Sequence, residues 1–226
     1  MSEASAAFGR EFWEERYRGH PAGHSPQPSP QLLAETGELT PGRALDAGCG
    51  EGANALWLAS HGWQVTAVDI AAAALGRARE HAEQADADAA GRIDWVRADL
   101  TAWAPAEEHF DLVTAHYVHP AAAGDALLHR LAASVAPGGT LLVVGHHPSE
   151  EHSAESHGRP PEAHVTAEEA AASLDPGRWE IVVAEVRSRP AAGPHPHGDG
   201  HGHGHGRSHG HGMTLRDAVL RARRRI

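Results

Sequence analysis

Cysteine is nearly absent: Cys49 stands alone in 226 residues. One thiol cannot form an internal disulfide framework, and it cannot supply the thiolates of a zinc cluster. Long apolar runs are missing too. No stretch of about 18 apolar residues occurs, so no transmembrane helix is expected. The opening MSEASAAFGREFWEERY is charged and has no apolar run of signal-peptide length. Positive charge is scarce, with 19 Lys and Arg against 30 Asp and Glu, a net −11 with histidine neutral. Phosphate backbones and anionic membrane surfaces both require a basic face, so neither nucleic acid nor membrane is an expected partner. A soluble cytoplasmic protein is the default expectation, as a monomer or homodimer.

Apolar residues make up 41% of the chain, which is enough for one medium domain with additions. Residues 1–40 are expected to form an N-terminal helical cap. Phe8, Phe12, Trp13 and Tyr17 recur at helical spacing between Phe8 and Arg18. Four prolines between His20 and Pro30 exclude regular helix there. A short helix over Pro30–Glu38 follows.

Residues 41–226 carry a different pattern. Strands are predicted at Arg43–Ala47, Val65–Val68, Ile93–Ala98, Phe110–Ala115, Thr140–Gly145 and Trp179–Arg187. Helices are predicted at Ala53–His61, Ala71–Ala89, Ala123–Val135 and Ala167–Leu174. Ala218, Val219 and Leu220 suit the middle of a last buried strand, with a C-terminal helix as the competing assignment. Alternation of this kind predicts an α/β fold, a doubly wound, mostly parallel seven-stranded sheet between two helical layers.

Histidine is in excess, at twenty residues. Seven of them, His195, His197, His201, His203, His205, His209 and His211, fall in a glycine-rich tract within residues 190–212. Glycine at that density supports neither helix nor strand, so a disordered loop is expected. Imidazoles so spaced are candidate ligands for nickel, zinc, copper or cobalt, without a fixed geometry.

The strongest motif is Leu45-Asp46-Ala47-Gly48-Cys49-Gly50-Glu51-Gly52, between a predicted strand and a predicted helix. Its glycines allow a tight turn and let a ligand lie against bare backbone. Gly48-x-Gly50-x-x-Ala53 also meets the loose dinucleotide fingerprint, so glycines alone do not choose the ligand. Asp46 weighs against a pyrophosphate and suits a cationic ligand. Asp69 ends the second strand, where an acid can accept from ribose hydroxyls. Asp99 follows the third, placed for an exocyclic amine. The competing roles are a helix cap for Asp69 and a turn cap for Asp99. Nothing marks a base for Cys49, which is expected to pack rather than react.

With LDAGCGEGANALWLA, VTAVDI, ADL, FDLVTAHYVH and LAASVAPGGTLLVVGHH in place, residues 43–147 resemble the class I S-adenosylmethionine (SAM)-dependent methyltransferases. FWEERYRG with a downstream Pro-x-Pro is similar to the cap of small-molecule members, including the tellurite-resistance and thiopurine methyltransferase-like groups. The resemblance implies an antiparallel last strand in a Rossmann-like sheet. It implies that Asp46, Gly48, Cys49 and Gly50 hold the methionine part of SAM. Asp69 and Ile70 would take ribose and adenine, and Asp99 and Leu100 would border adenine. Trp13 and Tyr17 would close over the cofactor, with Arg16 or Arg18 near its carboxylate, and His116 would face the sulfonium.

Methyl transfer from a sulfonium needs alignment, exclusion of water and, for some acceptors, a base. His116, Tyr117 and His146 are the catalytic candidates, with His119 and His147 beside them. The segment Ala115-His116-Tyr117-Val118 lacks the Asn/Asp-Pro-Pro-Tyr signature of enzymes acting on base amines, and there is no Pro-Cys nucleophile. A small-molecule acceptor remains. The alternatives are an NAD(P)-type oxidoreductase on the same turn, or a metal-buffering protein built around the histidine tract.

Overall fold

The computed structural model describes residues 9–19, 27–118, 124–147, 166–190 and 214–226. Two helices, α1 (Arg10–Gly19) and α2 (Pro30–Thr36), precede the sheet. The core then runs β1 (Arg43–Ala47), α3 (Ala53–Ser60), β2 (Gln64–Asp69), α4 (Ala72–Ala85), α5 (Ala87–Ala90) and β3 (Ile93–Arg97). It continues with β4 (Phe110–His116), α6 (Gly124–Ser134), β5 (Val135–His146), α7 (Ala167–Ala172), β6 (Trp179–Pro190) and β7 (Thr214–Arg224).

The seven strands lie in the order β3-β2-β1-β4-β5-β7-β6. Strands β1 to β5 pair in parallel, and β7 runs antiparallel between β5 and β6. Strand order reverses between β1 and β4, which opens a crevice at the carboxyl ends there. Side chains alternate between the two faces. On one face Leu45, Val113, Leu141 and Leu220 pack with Leu127 and Leu131 of α6. On the other, Ala44, Leu112, Leu142 and Val219 pack with Leu32 of α2 and Leu58 of α3. The sheet is therefore the middle of three layers.

Two local expectations change, and the last strand is formed as expected. The helix predicted over 71–89 breaks at Asp86, which turns extended (φ −160°) and accepts from the Ala89 N–H at 2.9 Å, restarting the chain as α5. Strand β5 begins at Val135, not Thr140, and runs through Pro137 with an irregular register against Phe110–Leu112. The C-terminal segment is strand, not helix: Ala218, Val219, Leu220 and Ala222 are buried between β5 and β6. The predicted histidine-glycine loop, His119 and the bulk of residues 146–164 lie outside the described residues. Among the described residues, no helix is long and apolar enough to cross a membrane.

Candidate active site at the carboxyl end of the sheet

Strand β1 ends because Gly48 takes φ +74°, a conformation that costs an L side chain about 1–2 kcal/mol. The N–H groups of Gly48 and Cys49 both donate to the Val68 carbonyl, at 2.8 and 3.0 Å, which ties the turn to β2. Gly50 follows at φ +53°. A Cβ on Gly48 would stand 2.5 Å from Val118 Cγ2, and one on Gly50 would stand 2.8 Å from the Tyr17 hydroxyl. The turn is thus approached from α1 and from the chain after β4.

Asp69 is clamped to the turn. Its Oδ2 accepts from Gly50 N–H and its Oδ1 from Ala71 N–H, each at 2.9 Å. Each oxygen keeps a second lone pair for a ligand hydroxyl. Burial pushes its carboxyl up, and the backbone donors oppose that push.

Asp46 is in a different position. It is 1% exposed, and its Oδ2 has no hydrogen-bond partner. Burial, with the charge of Asp69, pushes its carboxyl up to about 7, while the Ala55 N–H pulls it down. A buried carboxylate with a free oxygen is costly unless a cation pairs with it. Burial and the two acids also push the Cys49 thiol well up, which fits a packing role.

Asp99 is held by its own turn. Its Oδ1 accepts from the N–H and the hydroxyl of Thr101, at 2.8 and 2.7 Å, so it is the turn cap weighed above. Leu100 is buried in the core, and Ile70 offers its carbonyl to Arg97 Nε at 3.4 Å.

Tyr17 reaches the turn because α1 is docked by Glu14, whose Oε2 accepts from Ala72 N–H at 2.7 Å. The Trp13 ring lies 6.3 Å from Tyr17, with Arg16 over it at 5.9 Å, and Arg18 pairs with Glu14 at 2.9 Å.

On the β4 side, His116 is buried and neither ring nitrogen has a partner. Burial lowers its pKa to about 3, so the ring is neutral. Tyr117 takes φ +53°, an outlier for a bulky side chain. Its N–H bonds Val144 C=O at 2.7 Å, its ring lies 4.5 Å from His146, and its hydroxyl donates to Asp217 Oδ2 at 2.9 Å. His147 donates its N–H to the Arg216 carbonyl.

Residues 44–139 match a family model described as a methyltransferase domain. Residues 44–139 carry a methyltransferase domain. The chain is 34% identical over 147 residues to trans-aconitate 2-methyltransferase of Paracidovorax citrulli, covering 63% of this chain and 50% of that one. The chain thus spans about half the length of that curated relative. A solved structure described under the conversion of a disulfide bond into a thioacetal group during echinomycin biosynthesis aligns with TM-score 0.67 and 25% identity, covering 96% and 92% of the two chains. A methyltransferase of Geobacter sulfurreducens in complex with S-adenosyl-L-homocysteine shares the fold at TM-score 0.55 and 22% identity, covering 76% and 71%.

The structure brings Asp46, Gly48, Cys49, Gly50, Asp69 and Tyr17 together around one turn. Glu14, Gln31, Arg189 and Asp217 were missed. Their roles depend on contacts between segments distant in sequence, and no local motif marks them. Among the described residues, no group of three or more His, Cys, Asp or Glu could hold a metal ion.

Proposed function

We propose that the protein transfers a methyl group from SAM to a small-molecule acceptor. The observation that carries this is the unpartnered, buried Asp46 Oδ2 beneath a bare glycine turn. A buried carboxylate with an unpartnered oxygen favours a cationic partner, so the residues present fit SAM. When bound, SAM supplies an electrophilic methyl group on a sulfonium. Asp46 with Gly48, Cys49 and Gly50 holds the ammonium end, and Asp69 accepts from the ribose. Ile70 and Leu100 border adenine, and Asp99 keeps its Oδ2 for the exocyclic amine. Trp13 and Tyr17 cover the site and exclude water.

His116, Tyr117 and His146 face the acceptor. A neutral imidazole with free nitrogens accepts a hydrogen bond from the nucleophile and orients it. A ring this reluctant to charge orients more than it holds a proton. The relatives named above act on different chemistry, one on trans-aconitate by its name, so they support a small molecule without fixing the acceptor atom. Calorimetric titration with SAM, S-adenosylhomocysteine and NADH tests the assignment. Binding of the first two and not the third is expected; the reverse overturns it.

The seven histidines of the 195–211 tract carry a separate proposal from sequence alone, weak nickel, zinc, copper or cobalt binding. Equal metal uptake by the full chain and by a variant with these histidines replaced by serine would dismiss it.

A further inference from the structure

Charges of both signs stand at the crevice. On the β1 to β3 side are Asp46, Asp69, Asp99 and Glu51, with Arg77 paired to Glu51 at 2.8 Å and Arg97 ending β3. On the side formed by β5, β7 and β6 stand Arg187, Arg189 and Arg216 at the strand ends, in a chain with eleven more acids than bases. Most of these cations are already engaged. Arg187 pairs with Glu35 at 2.6 Å and with Glu185 at 2.7 Å, and Arg221 pairs with Glu35 at 3.3 Å. Arg216 also has a partner.

Arg189 is arranged differently. Its Nε donates to Asp217 Oδ2 at 2.8 Å, and its guanidinium lies 5.4 Å from the centre of the Tyr117 ring. Those contacts use part of a five-donor fork and fix its plane. The rest of the fork has no partner among the described residues, and the side chain is 22% exposed.

The support beneath it is buried. Asp217 is 0% exposed, its Oδ2 gathers Tyr117, Arg189 and Gln31 Nε2, and its Oδ1 has no partner. Tyr117 joins this group only by adopting a strained backbone next to His116. Strain held in place by several contacts is common where a site must be pre-organised.

We propose that Arg189, held by Asp217 and Tyr117, binds a carboxylate of the methyl acceptor, which makes the acceptor a small organic acid. This rests on the methyltransferase assignment above. A planar fork matches two carboxylate oxygens, and the cationic sulfonium on the opposite rim favours an anionic partner. Tyr117 and Asp217 are positioning residues for Arg189.

The test uses the full chain saturated with S-adenosylhomocysteine. Calorimetry follows benzoate and tricarballylate, with benzamide as the neutral counterpart of benzoate. At least one acid is expected to bind more tightly than about 10 mM, with benzamide at least tenfold weaker than benzoate where benzoate binds. In Arg189→Gln, carboxylate affinity should fall by about tenfold or more and the acid-to-amide preference should vanish. Arg189→Lys, which keeps the Asp217 pair, should retain part of that preference. The preference is a ratio within one protein, so a loss of stability does not imitate it. Absence of binding by either acid, or an unchanged preference in Arg189→Gln, overturns the proposal. Failure of S-adenosylhomocysteine itself to bind would instead overturn the methyltransferase assignment.

Discussion

Glu14 of α1 caps a helix to which it does not belong. Its Oε2 accepts from the N–H groups of Ala72 and Ala73, at 2.7 and 3.4 Å, at the start of α4. The cap position of α4 itself is Ala71, which has no side chain able to serve. A carboxylate here answers orphan N–H groups and the positive end of the helix together. Glu14→Ala should therefore cost about 1 kcal/mol in urea unfolding, with Glu14→Gln losing less. It should also loosen Tyr17 from Gly50, read as a change in Trp13 fluorescence. Unchanged stability in both variants would mean that α1 is not anchored there.

Gly50 should be among the least replaceable residues of the turn. Its φ of +53° disfavours any side chain, and the new Cβ would meet the Tyr17 hydroxyl at 2.8 Å. Gly50→Ala is expected to lose about 1–2 kcal/mol from backbone strain. The Gly50→Ala, Tyr17→Phe double variant should recover part of the loss, because the clash is removed. A double variant no more stable than the single one would place the whole cost in the backbone.

The glycine turn, the order of strands and helices and the acids at strand ends were legible in sequence. Each of these is a local pattern: glycines at 48, 50 and 52, apolar runs of strand length, an acid closing Val68-Asp69. Glu14, Arg189 and Asp217 were not legible. Glu14 meets Ala72 from 58 residues away, and Tyr117 meets Asp217 from 100 residues away. Neither meeting has a periodicity or a motif. The break at Asp86 was hidden for another reason: alanines on both sides favour helix, and one Asx side chain bonding Ala89 N–H outweighed them. Asp99 carried two meanings at once, and the hydrogen bonds to Thr101 show that the capping one is realised.

Asp69 joins the turn to α4, so its loss should show twice. Asp69→Ala leaves the Gly50 and Ala71 N–H groups without acceptors and should destabilise the chain by about 1–3 kcal/mol. It should also weaken SAM binding by a similar amount through the ribose hydroxyls. Asp69→Asn keeps one acceptor oxygen and should spare more of the fold than of the affinity. Calorimetry and urea unfolding on the same preparations separate the two. Undiminished affinity would place the ribose elsewhere.

Asp46 gives SAM binding a pH dependence of known sign. Its carboxyl is pushed up to about 7, and a bound ammonium would stabilise the charged form and lower that value. Binding then releases a proton below pH 7, and affinity should rise with pH by up to about tenfold per unit across pH 5.5–7. Calorimetry in buffers of different ionisation enthalpy counts the proton. Asp46→Asn should bind weakly and without this slope; a wild-type protein with no slope would remove Asp46 from the ammonium site.

Asp46 and His116 lie on the same face of β1 and β4, and they should drive stability in opposite directions as pH falls. Register settles the geometry: Asp46 is paired with Thr114, and His116 is the next residue of β4 on that face. The folded pKa of Asp46 lies above its ordinary 3.8, so the folded state holds the proton more tightly. Its contribution is full below about pH 4 and is lost as pH rises towards 7. The folded pKa of His116 lies below its ordinary 6.5, at about 3, so the unfolded chain takes the proton first. Its contribution is full above pH 6.5 and is lost as pH falls. At pH 5 the histidine effect alone amounts to about 2 kcal/mol, and the aspartate opposes it with a similar magnitude. Urea unfolding of the wild type at pH 7.5 and pH 5 should therefore show little net change from this pair. Asp46→Asn should expose the histidine loss and become less stable at pH 5. His116→Gln should expose the aspartate gain and become more stable there. Parallel behaviour of both variants and wild type would mean that these side chains reach solvent, and that the face between β1 and β4 is wet before any ligand arrives.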